Sequence, residues 1–180
     1  NQIVIDFENI DSLDASLKVD EIYIAIGQKL SLSELVYIKK NNRKSFVNVD
    51  YNYIKKVAEF AKNCGANSVG LISAIGANTK SFNTYLKVKG DVEQEIRLVG
   101  YKKIIIAHPS HLLGERAGED IPMNVKVFEQ ITNLFGLLLI GPLQKFRNVE
   151  AKKVAKAIIS KMDSVEEGIH YIDYKYFKNF

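Results

Sequence analysis

The apolar residues of this chain come in short runs separated by longer stretches of mixed character. Four runs rich in β-branched residues predict strands at residues 3–5, 22–26, 69–72 and 104–107. The runs are continuous rather than alternating, which indicates strands buried on both faces, as in a parallel sheet between two layers of helices. A tail rich in tyrosine and isoleucine predicts one more short strand at residues 170–174.

The stretches between these runs repeat their apolar residues at helical spacing. They predict helices at about residues 49–64, 83–98, 122–135 and 149–161, with an irregular segment at 114–120. Gly65 and Gly100 follow the first two helices and are typical C-terminal stops. Strand therefore alternates with helix, and we expect an α/β fold with a doubly wound parallel sheet and helices on both faces.

Composition narrows the class of protein. The 180 residues, 47% of them hydrophobic, suit a single domain, and no apolar run approaches the ~20 residues that cross a bilayer. Cys64 is the single cysteine, which excludes an internal disulfide and favours a cytoplasmic location. The net charge of +4 comes from lysines scattered among acidic residues, which indicates a solvated surface and not a nucleic-acid partner. We expect no metal site, because His108 and His111 have no cysteine or carboxylate at ligand spacing.

Ligands of open parallel sheets bind beyond the carboxyl ends of the strands, so the residues that end each strand are candidates. These residues include Asp6, Gly27, Ser73 and His108. Gly27 would let backbone approach a ligand closely, and Asp6 could accept hydrogen bonds from an adenine amine or a ribose hydroxyl. Each also has a plain explanation, since Asp6 suits a turn or helix cap and Gly27 suits a strand end.

Tyr85 and Lys89 are four residues apart, which places a phenol and an ammonium on one face of a helix. A nearby ammonium favours phenolate, so we expect Lys89 to lower the pKa of Tyr85 from its ordinary value of about 10. Ser73 ends a predicted strand, where its hydroxyl could share a substrate oxygen with Tyr85. Taken alone, this spacing is weak evidence, because both residues are common and most such pairs lie on solvated helix faces.

Five segments together carry a resemblance to a known family. They are VDYNY at 49–53, AKNCGA at 61–66, LISAIGA at 71–77, YLKVKG at 85–90 and HPSHLLGER at 108–116. The chain resembles the atypical short-chain dehydrogenase/reductases, and within them the HIV Tat-interacting protein group, in the right order from residues 6–9 to 141–147.

The resemblance implies a Rossmann-like fold binding NADP or NAD, formed by one domain over residues 1–180 with substrate-side elements within 111–148. It implies Tyr85 as the general acid/base, Lys89 as its partner and the holder of the nicotinamide ribose, and Ser73 as the donor to the substrate oxygen. The implied cofactor-binding residues are Asp6, Phe7, Ile26, Gly27, Tyr85, Lys89, Pro109 and Ser110. The implied substrate contacts are His111 and Arg116.

The chain departs from the family in three places. No G-x-x-G-x-x-G occurs in its 180 residues, and its first predicted strand corresponds to the third of the family's sheet. We therefore expect a βαβ unit of roughly 30 residues or more to be missing upstream. Ser73-Ala74 stands where the family often has paired serines. His108 replaces a usual arginine and can be neutral at pH 7.

Three functions stay open. The first is an NAD(P)-dependent oxidoreductase that moves hydride between nicotinamide and a carbonyl or alcohol substrate. The second is a non-catalytic cofactor-binding regulator with a protein partner, and the third, less favoured, is a nucleotide-sugar epimerase or dehydratase. The joint presence of Ser73, Tyr85 and Lys89 favours an enzyme. By analogy with the superfamily, the helices at 49–64 and 83–98 suggest a homodimer, and we expect no membrane partner.

Overall fold

A four-stranded parallel sheet organises the protein. The structure, a computed structural model, describes residues 4–13, 16–113 and 139–180. In chain order the strands are β1 (Glu21–Ile24), β2 (Ser68–Ile72), β3 (Lys103–Ala107), β4 (Leu112–Leu113), β5 (Val149–Glu150) and β6 (Gly168–Ile172). The main sheet has the order β1-β2-β3-β6, with every neighbouring pair parallel, while β4 and β5 form a separate short parallel pair. The predicted parallel sheet is confirmed.

Helices cover both faces of this sheet. They are α1 (Leu32–Val36), α2 (Lys40–Val47), α3 (Ile54–Asn63), α4 (Thr84–Leu98), α5 (Ala151–Ser164) and α6 (Tyr174–Phe177). A π-helical turn, Asn48–Tyr53, joins α2 to α3. Two 3-10 turns, Phe7–Ser12 and Gly141–Phe146, complete the described elements. The α/β fold with helices on both faces is therefore as the sequence predicts.

The alternation of side chains along the strands separates two cores. Leu71 and Ile106 point to the face covered by α3 and α4, where Ile54 and Val92 pack against them. Ile105, next along β3, points to the opposite face, where α5 and α6 cover it. Both faces of the central strands are therefore dry, which is why their sequences are continuously apolar.

Several predicted boundaries are wrong. Val4 and Ile5 do not form a strand; Val4 is 94% exposed, and Asp6 instead caps the 3-10 turn that follows. A strand needs a hydrogen-bonded neighbour, and none of the described residues pairs with this segment. The predicted helix at 49–64 is divided into the π turn and α3, and Tyr174 begins a helix instead of ending a strand.

Two short helices, α1 and α2, were not predicted, because residues 32–47 are too polar to show a long apolar stripe. The predicted irregular segment at 114–120 and the predicted helix at 122–135 lie outside the described residues. Among the residues that are described, no helix combines the length and the apolar character needed to cross a membrane.

Candidate active site

Helix α4 contains both Tyr85 and Lys89, and side-chain hydrogen bonds of Asn83 fix the position of its first turn. The Asn83 side chain accepts a hydrogen bond from the Leu86 amide at 3.1 Å, a standard N-cap. The same side chain donates to the carbonyls of Leu35 at 2.8 Å and Val36 at 3.1 Å. The first turn of α4, which contains Tyr85, is thereby joined to the end of α1.

One residue of α4 must be glycine for the helix to lie where it does. A Cβ at Gly90 would come within 2.5 Å of the backbone of Asn78 and Thr79. Real Cβ atoms do not approach backbone this closely, so α4 packs directly on the loop after β2 at this point. The contact sets how far Lys89, the preceding residue, lies from the tips of the strands.

Lys89 forms a buried ion pair with a residue that the sequence analysis did not single out. Its Nζ lies 2.8 Å from Oδ1 of Asp50, and the two residues are only 6% and 1% exposed. The other oxygen, Oδ2, accepts a hydrogen bond from the backbone amide of Gln28 at 2.7 Å. Burial of two charges is tolerated when they pair and their remaining hydrogen-bonding capacity is met, as it is here.

The surroundings of Tyr85 favour the neutral phenol. The Lys89 Nζ lies 6.0 Å from the centroid of the Tyr85 ring, and the ring of Phe46 lies 6.1 Å from it. Burial, and secondly the negative charge of Asp50, raise the pKa of Tyr85 to about 12. The expectation of a lowered pKa is therefore wrong, because burial disfavours the phenolate and Asp50, which pairs with the ammonium, adds a negative charge.

Ser73 lies at the tip of β2, as predicted, but its hydroxyl is already hydrogen-bonded to another residue of the protein. Its backbone amide donates to the Ala107 carbonyl at 2.9 Å, which extends the pairing of β2 and β3. Its buried Oγ donates to Oε1 of Glu93. The same Glu93 oxygen lies 2.8 Å from Nε2 of His108, at the tip of β3.

Four polar residues of α4 follow one another at intervals of four: Tyr85, Lys89, Glu93 and Arg97. They form one ridge of the helix. Glu93 Oε2 lies 3.8 Å from the Arg97 guanidinium, which also hydrogen-bonds the Tyr171 hydroxyl on β6. The predicted pair is thus part of a longer ridge whose later members bind the strand tips. The interval of four was the sequence signal that could have identified Glu93.

Gly27 lies next to the ion pair of Lys89 and Asp50. It is exposed in the loop after β1, and a Cβ built there would lie 3.4 Å from Asp50 Oδ1 and 3.9 Å from Lys89 Nζ. Ile26, next to it, packs against the core formed with α3 and α4. Two of the predicted cofactor residues, Gly27 and Lys89, are therefore neighbours in space.

Asp6 and Phe7 have contacts on a different element. Asp6 accepts hydrogen bonds from the Glu8 amide at 3.0 Å and the Asn9 side chain at 2.7 Å. Phe7 stacks on Tyr53 with ring centroids 5.2 Å apart. The capping explanation for Asp6 therefore holds, and the cofactor role of both residues stays a prediction.

The loop after β3 contains three more predicted residues. The carbonyl of buried Pro109 accepts a hydrogen bond from the Ile75 amide at 2.9 Å. Ser110 Oγ donates to the Phe146 carbonyl at 3.0 Å, and the His111 carbonyl accepts from the Val149 amide at 3.1 Å. This loop is thus attached both to the loop after β2 and to residues 146–149. Arg116 lies outside the described residues.

Solved structures share this arrangement of strands and helices. The chain superposes on MoeE5 in complex with UDP-glucose and NAD with a TM-score of 0.62 and 10% identity, over 97% of this chain and 65% of that one. It superposes on UDP-glucuronic acid 4-epimerase from Bacillus cereus in complex with NAD with a TM-score of 0.62 and 12% identity, over 94% of this chain and 58% of that one. At such identities the likeness concerns the fold alone.

Proteins related in sequence say more about the family of this chain than the solved structures do. Protein FMP52 of Candida albicans is 31% identical over 137 residues, which cover 73% of this chain and 55% of that protein. FMP52 of Kluyveromyces lactis is 38% identical over 87 residues, 48% of this chain and 39% of its own length. Protein HTATIP2 of Rattus norvegicus is 31% identical over 117 residues, 64% of this chain and 45% of that protein. The chain spans about half the length of these relatives, or less.

The names of the fungal relatives overturn one expectation. The FMP52 proteins of Kluyveromyces lactis, Candida albicans and Saccharomyces cerevisiae are described as mitochondrial, which contradicts the cytoplasmic location that we expected from the single cysteine. A reducing compartment does not distinguish cytoplasm from organelle. No family model matches the chain. The similarity to both the FMP52 and HTATIP2 proteins nevertheless confirms the resemblance to the atypical short-chain dehydrogenase/reductases.

Proposed function

We propose that this chain is part of an NAD(P)-dependent oxidoreductase that reduces a carbonyl compound, with Tyr85 as the proton donor. The observation that carries the proposal is the meeting of Tyr85, Lys89 and Gly27 beyond the carboxyl ends of the parallel strands. In sheets of this kind that edge is where ligands bind. The solved relatives of the fold that contain NAD support the choice of cofactor.

The residues present fit the nicotinamide-ribose part of such a cofactor. Gly27 leaves the backbone open directly beside the Lys89 ammonium, where any side chain would occupy the space. An ammonium and a phenol are suitable donors to ribose hydroxyls. The glycine-rich phosphate cradle is not among these 180 residues, so the fit concerns this half of the cofactor.

Bound reduced nicotinamide would supply the hydride. Tyr85 is protonated at neutral pH, because burial and Asp50 raise its pKa to about 12, so its hydroxyl can donate a proton to the substrate oxygen. Lys89 then stabilises the phenolate that remains until water reprotonates it. Ser73 can contact the same oxygen only when its hydroxyl leaves Glu93.

The test is the Tyr85→Phe variant of the full chain, assayed by the absorbance of reduced nicotinamide with a panel of ketones and aldehydes. Loss of a general acid lowers turnover by about 10²–10⁴-fold. We expect cofactor affinity, measured by calorimetry, to fall by no more than about tenfold, since one hydrogen bond to the ribose is lost. Tyr23→Phe is the matched control, because Tyr23 hydrogen-bonds Glu21 on β1 and takes no part in the site. Equal turnover of Tyr85→Phe and the parent would remove Tyr85 from the mechanism.

A second candidate is a module that binds the cofactor without turnover. It is favoured by the hydrogen bond from Ser73 to Glu93, because this bond occupies the hydroxyl of one of the three expected catalytic residues. If the protein is such a module, it should bind the cofactor but show no activity on carbonyls, alcohols or nucleotide sugars. UDP-sugars belong in the panel because solved relatives of the fold act on or bind them.

The names of the fungal relatives support a mitochondrial location for this protein as well. Fractionation of the cells that produce it, with an antibody to this chain, tests that location. Recovery in the cytosolic fraction alone would refute it.

A further inference from the structure

Strand β6 lies at one edge of the main sheet, and none of the described strands pairs with its outer side. Successive residues of a strand direct their backbone groups to opposite neighbours. The Gly168 amide donates to the carbonyl just before β3, and the Ile172 carbonyl accepts from the amide just after β3, both at 2.8 Å. The amides and carbonyls of Ile169 and Tyr171 therefore face outward, away from β3.

The side chains of these two residues are uncovered as well. Their register partners on β3, Ile104 and Ile106, are almost wholly buried on the side of α3 and α4, whereas Ile169 is 46% and Tyr171 48% exposed. The helices thus stop one strand short of this edge. Strand β6 also contains no charged residue or proline, the residues that commonly protect an open edge from pairing with another chain.

We propose that β6 pairs with β6 of a second copy of this chain, antiparallel and about a two-fold axis at His170. In that register Ile169 lies opposite Tyr171 of the second copy, and the two residues exchange both of their backbone hydrogen bonds. Symmetry repeats the pair on the other side of the axis, so every outward amide and carbonyl of residues 169 and 171 has a partner. The sheets of the two copies become one continuous sheet.

The side chains fit the same register. Each Ile169 lies beside a Tyr171 ring on one face of the joined sheet, and an aromatic residue beside a β-branched one is a favourable cross-strand pair. The Arg97 guanidinium lies 5.7 Å from the centroid of the Tyr171 ring in its own chain. Glu167 of the second copy comes diagonally opposite Tyr171, within reach of that guanidinium. A positive charge of one copy therefore meets a negative charge of the other, twice by symmetry.

Strand β1, at the other edge of the sheet, is less suited to pairing with itself. The Asp20 carbonyl accepts from the Asn67 amide at 3.0 Å, so Asp20 faces β2 and the next residue, Glu21, faces outward with Tyr23. An antiparallel pair of β1 strands would bring the two Glu21 carboxylates diagonally together, where like charges repel.

The helix faces that the sequence suggested as dimer surfaces are also less suited. Ion pairs within one chain lie on them, with Lys55 2.6 Å from Glu95 and Lys87 2.6 Å from Asp91. Removing such solvated charges from water opposes association. The edge of β6 instead presents apolar side chains and unpaired backbone groups, both of which gain by being covered.

The proposed contact reaches the candidate site through Tyr171. Its hydroxyl accepts a hydrogen bond from Arg97, and its ring lies 5.4 Å from the ring of His108. His108 in turn lies 2.8 Å from the Glu93 carboxylate, which accepts the hydroxyl proton of Ser73. Association of two copies therefore covers a side chain in contact with the network that holds Ser73.

Sedimentation equilibrium of the full chain tests the association. An interface built on one edge strand is small, so we expect weak binding, with a Kd between about 10 and 100 µM. The mass should rise from 20.3 kDa toward twice that value as the concentration increases. A mass of one chain up to about 500 µM, well above that Kd, would overturn the proposal.

Ile169→Lys locates the contact. It places two ammonium groups in the apolar pairs and should raise the Kd at least about tenfold. Ile159→Lys is the matched control, because Ile159 lies on α5 and is 49% exposed, so it exchanges a similar apolar surface for the same charge. The control should leave the Kd unchanged. Equal effects of the two substitutions would place the contact elsewhere and overturn the proposal.

Glu167→Arg tests the register. The new guanidinium would meet Arg97 of the other copy, so we expect the Kd to rise about three- to tenfold at low salt. The rise should shrink near 1 M salt, where charges are screened within about 3 Å. Glu59→Arg, at a half-exposed position of α3, should have no effect. A Kd unchanged by Glu167→Arg would refute the register.

Hydrogen exchange tests the backbone pairing in the unaltered chain. The amides of Ile169 and Tyr171 should exchange quickly in dilute protein and slow as the concentration passes the Kd, while the Ile105 amide in the middle of the sheet stays protected throughout. Quick exchange at every concentration would overturn the proposal. Slow exchange at every concentration would also overturn it, because the chain would then cover this edge by itself.

None of these measurements needs cofactor or substrate. Failure of the association therefore leaves the oxidoreductase proposal untouched, and loss of the oxidoreductase leaves the β6 contact untouched.

Discussion

Glu93 Oε1 and His108 Nε2 lie 2.8 Å apart and join helix α4 to the tip of β3. The same carboxylate oxygen accepts the hydroxyl proton of Ser73 at the tip of β2. One buried side chain therefore connects two neighbouring strand ends to the helix that carries Tyr85 and Lys89. His108, which stands where the family usually has arginine, still serves as a donor to this carboxylate when its Nε2 carries a proton.

Glu93→Ala should lower the free energy of unfolding by about 2–4 kcal/mol, since it leaves the buried Ser73 hydroxyl and the His108 ring without their acceptor. Glu93→Gln, which keeps one oxygen, should lose less. Urea unfolding measures both. Glu59→Ala is the control: Glu59 is about half exposed beside Lys55 at 3.7 Å, and its loss should cost under about 0.5 kcal/mol. Similar losses at positions 59 and 93 would contradict a structural role for the Glu93 network.

Gly90→Ala should destabilise the protein by about 1–3 kcal/mol, because the added Cβ meets the backbone of Asn78 and Thr79, which cannot rotate away as a side chain can. This loss opposes the gain in helix propensity that alanine normally brings. Thermal unfolding would show it as a lower Tm. Gln94→Ala, at an exposed position of the same helix, should change stability by less than about 0.5 kcal/mol. A Gly90→Ala protein as stable as the parent would show that α4 can move away from that loop.

Gly27→Val should weaken the binding of NADP or NAD at least about tenfold with little loss of stability, since position 27 is exposed but faces the Lys89–Asp50 pair. Calorimetry measures the affinity and urea unfolding the stability. Ala155→Val, on the outer side of α5, controls for a β-branched residue at an exposed position across the sheet. Unchanged affinity in Gly27→Val would place the cofactor elsewhere.

The stability of the protein should fall as the pH rises from about 9 to 11, and Tyr85 should account for about 1 kcal/mol of that fall. Burial and Asp50 raise its pKa to about 12 in the folded protein, while the unfolded phenol ionises near the ordinary value of about 10. The unfolded state therefore loses its proton first, and alkaline pH favours unfolding.

Urea unfolding of Tyr85→Phe at pH 7, 9 and 11 checks this. The variant should show a smaller loss between pH 9 and 11, and the same slope as the parent between pH 7 and 9. Burial also raises the pKa of Tyr101, so some loss should persist in the variant. An identical loss in both proteins would mean that Tyr85 is not held neutral by the fold.

The sequence by itself determined that the central strands form a parallel sheet and which residues of α4 share one face of the helix. β2 and β3 are so continuously apolar that only burial on two faces accounts for them, and helical geometry alone places Tyr85 and Lys89 on one ridge. These are local properties, set by residues close together in the chain. The unpaired segment at 4–6 shows the limit, because an apolar run becomes a strand only when a neighbouring strand is available.

The tertiary structure decided the chemistry around those residues. Asp50 and Lys89 are 39 positions apart in the sequence, and Ser73 and Glu93 are 20 apart, so no local sequence pattern predicts that the members of each pair are in contact. The direction of the Tyr85 pKa shift is also decided by folding: the spacing within α4 supplies only the ammonium, whereas the folded protein supplies the burial, which is the larger cause, and the carboxylate of Asp50. Electrostatic energies depend on distance and dielectric in the folded protein, and neither of these is a property of the sequence order.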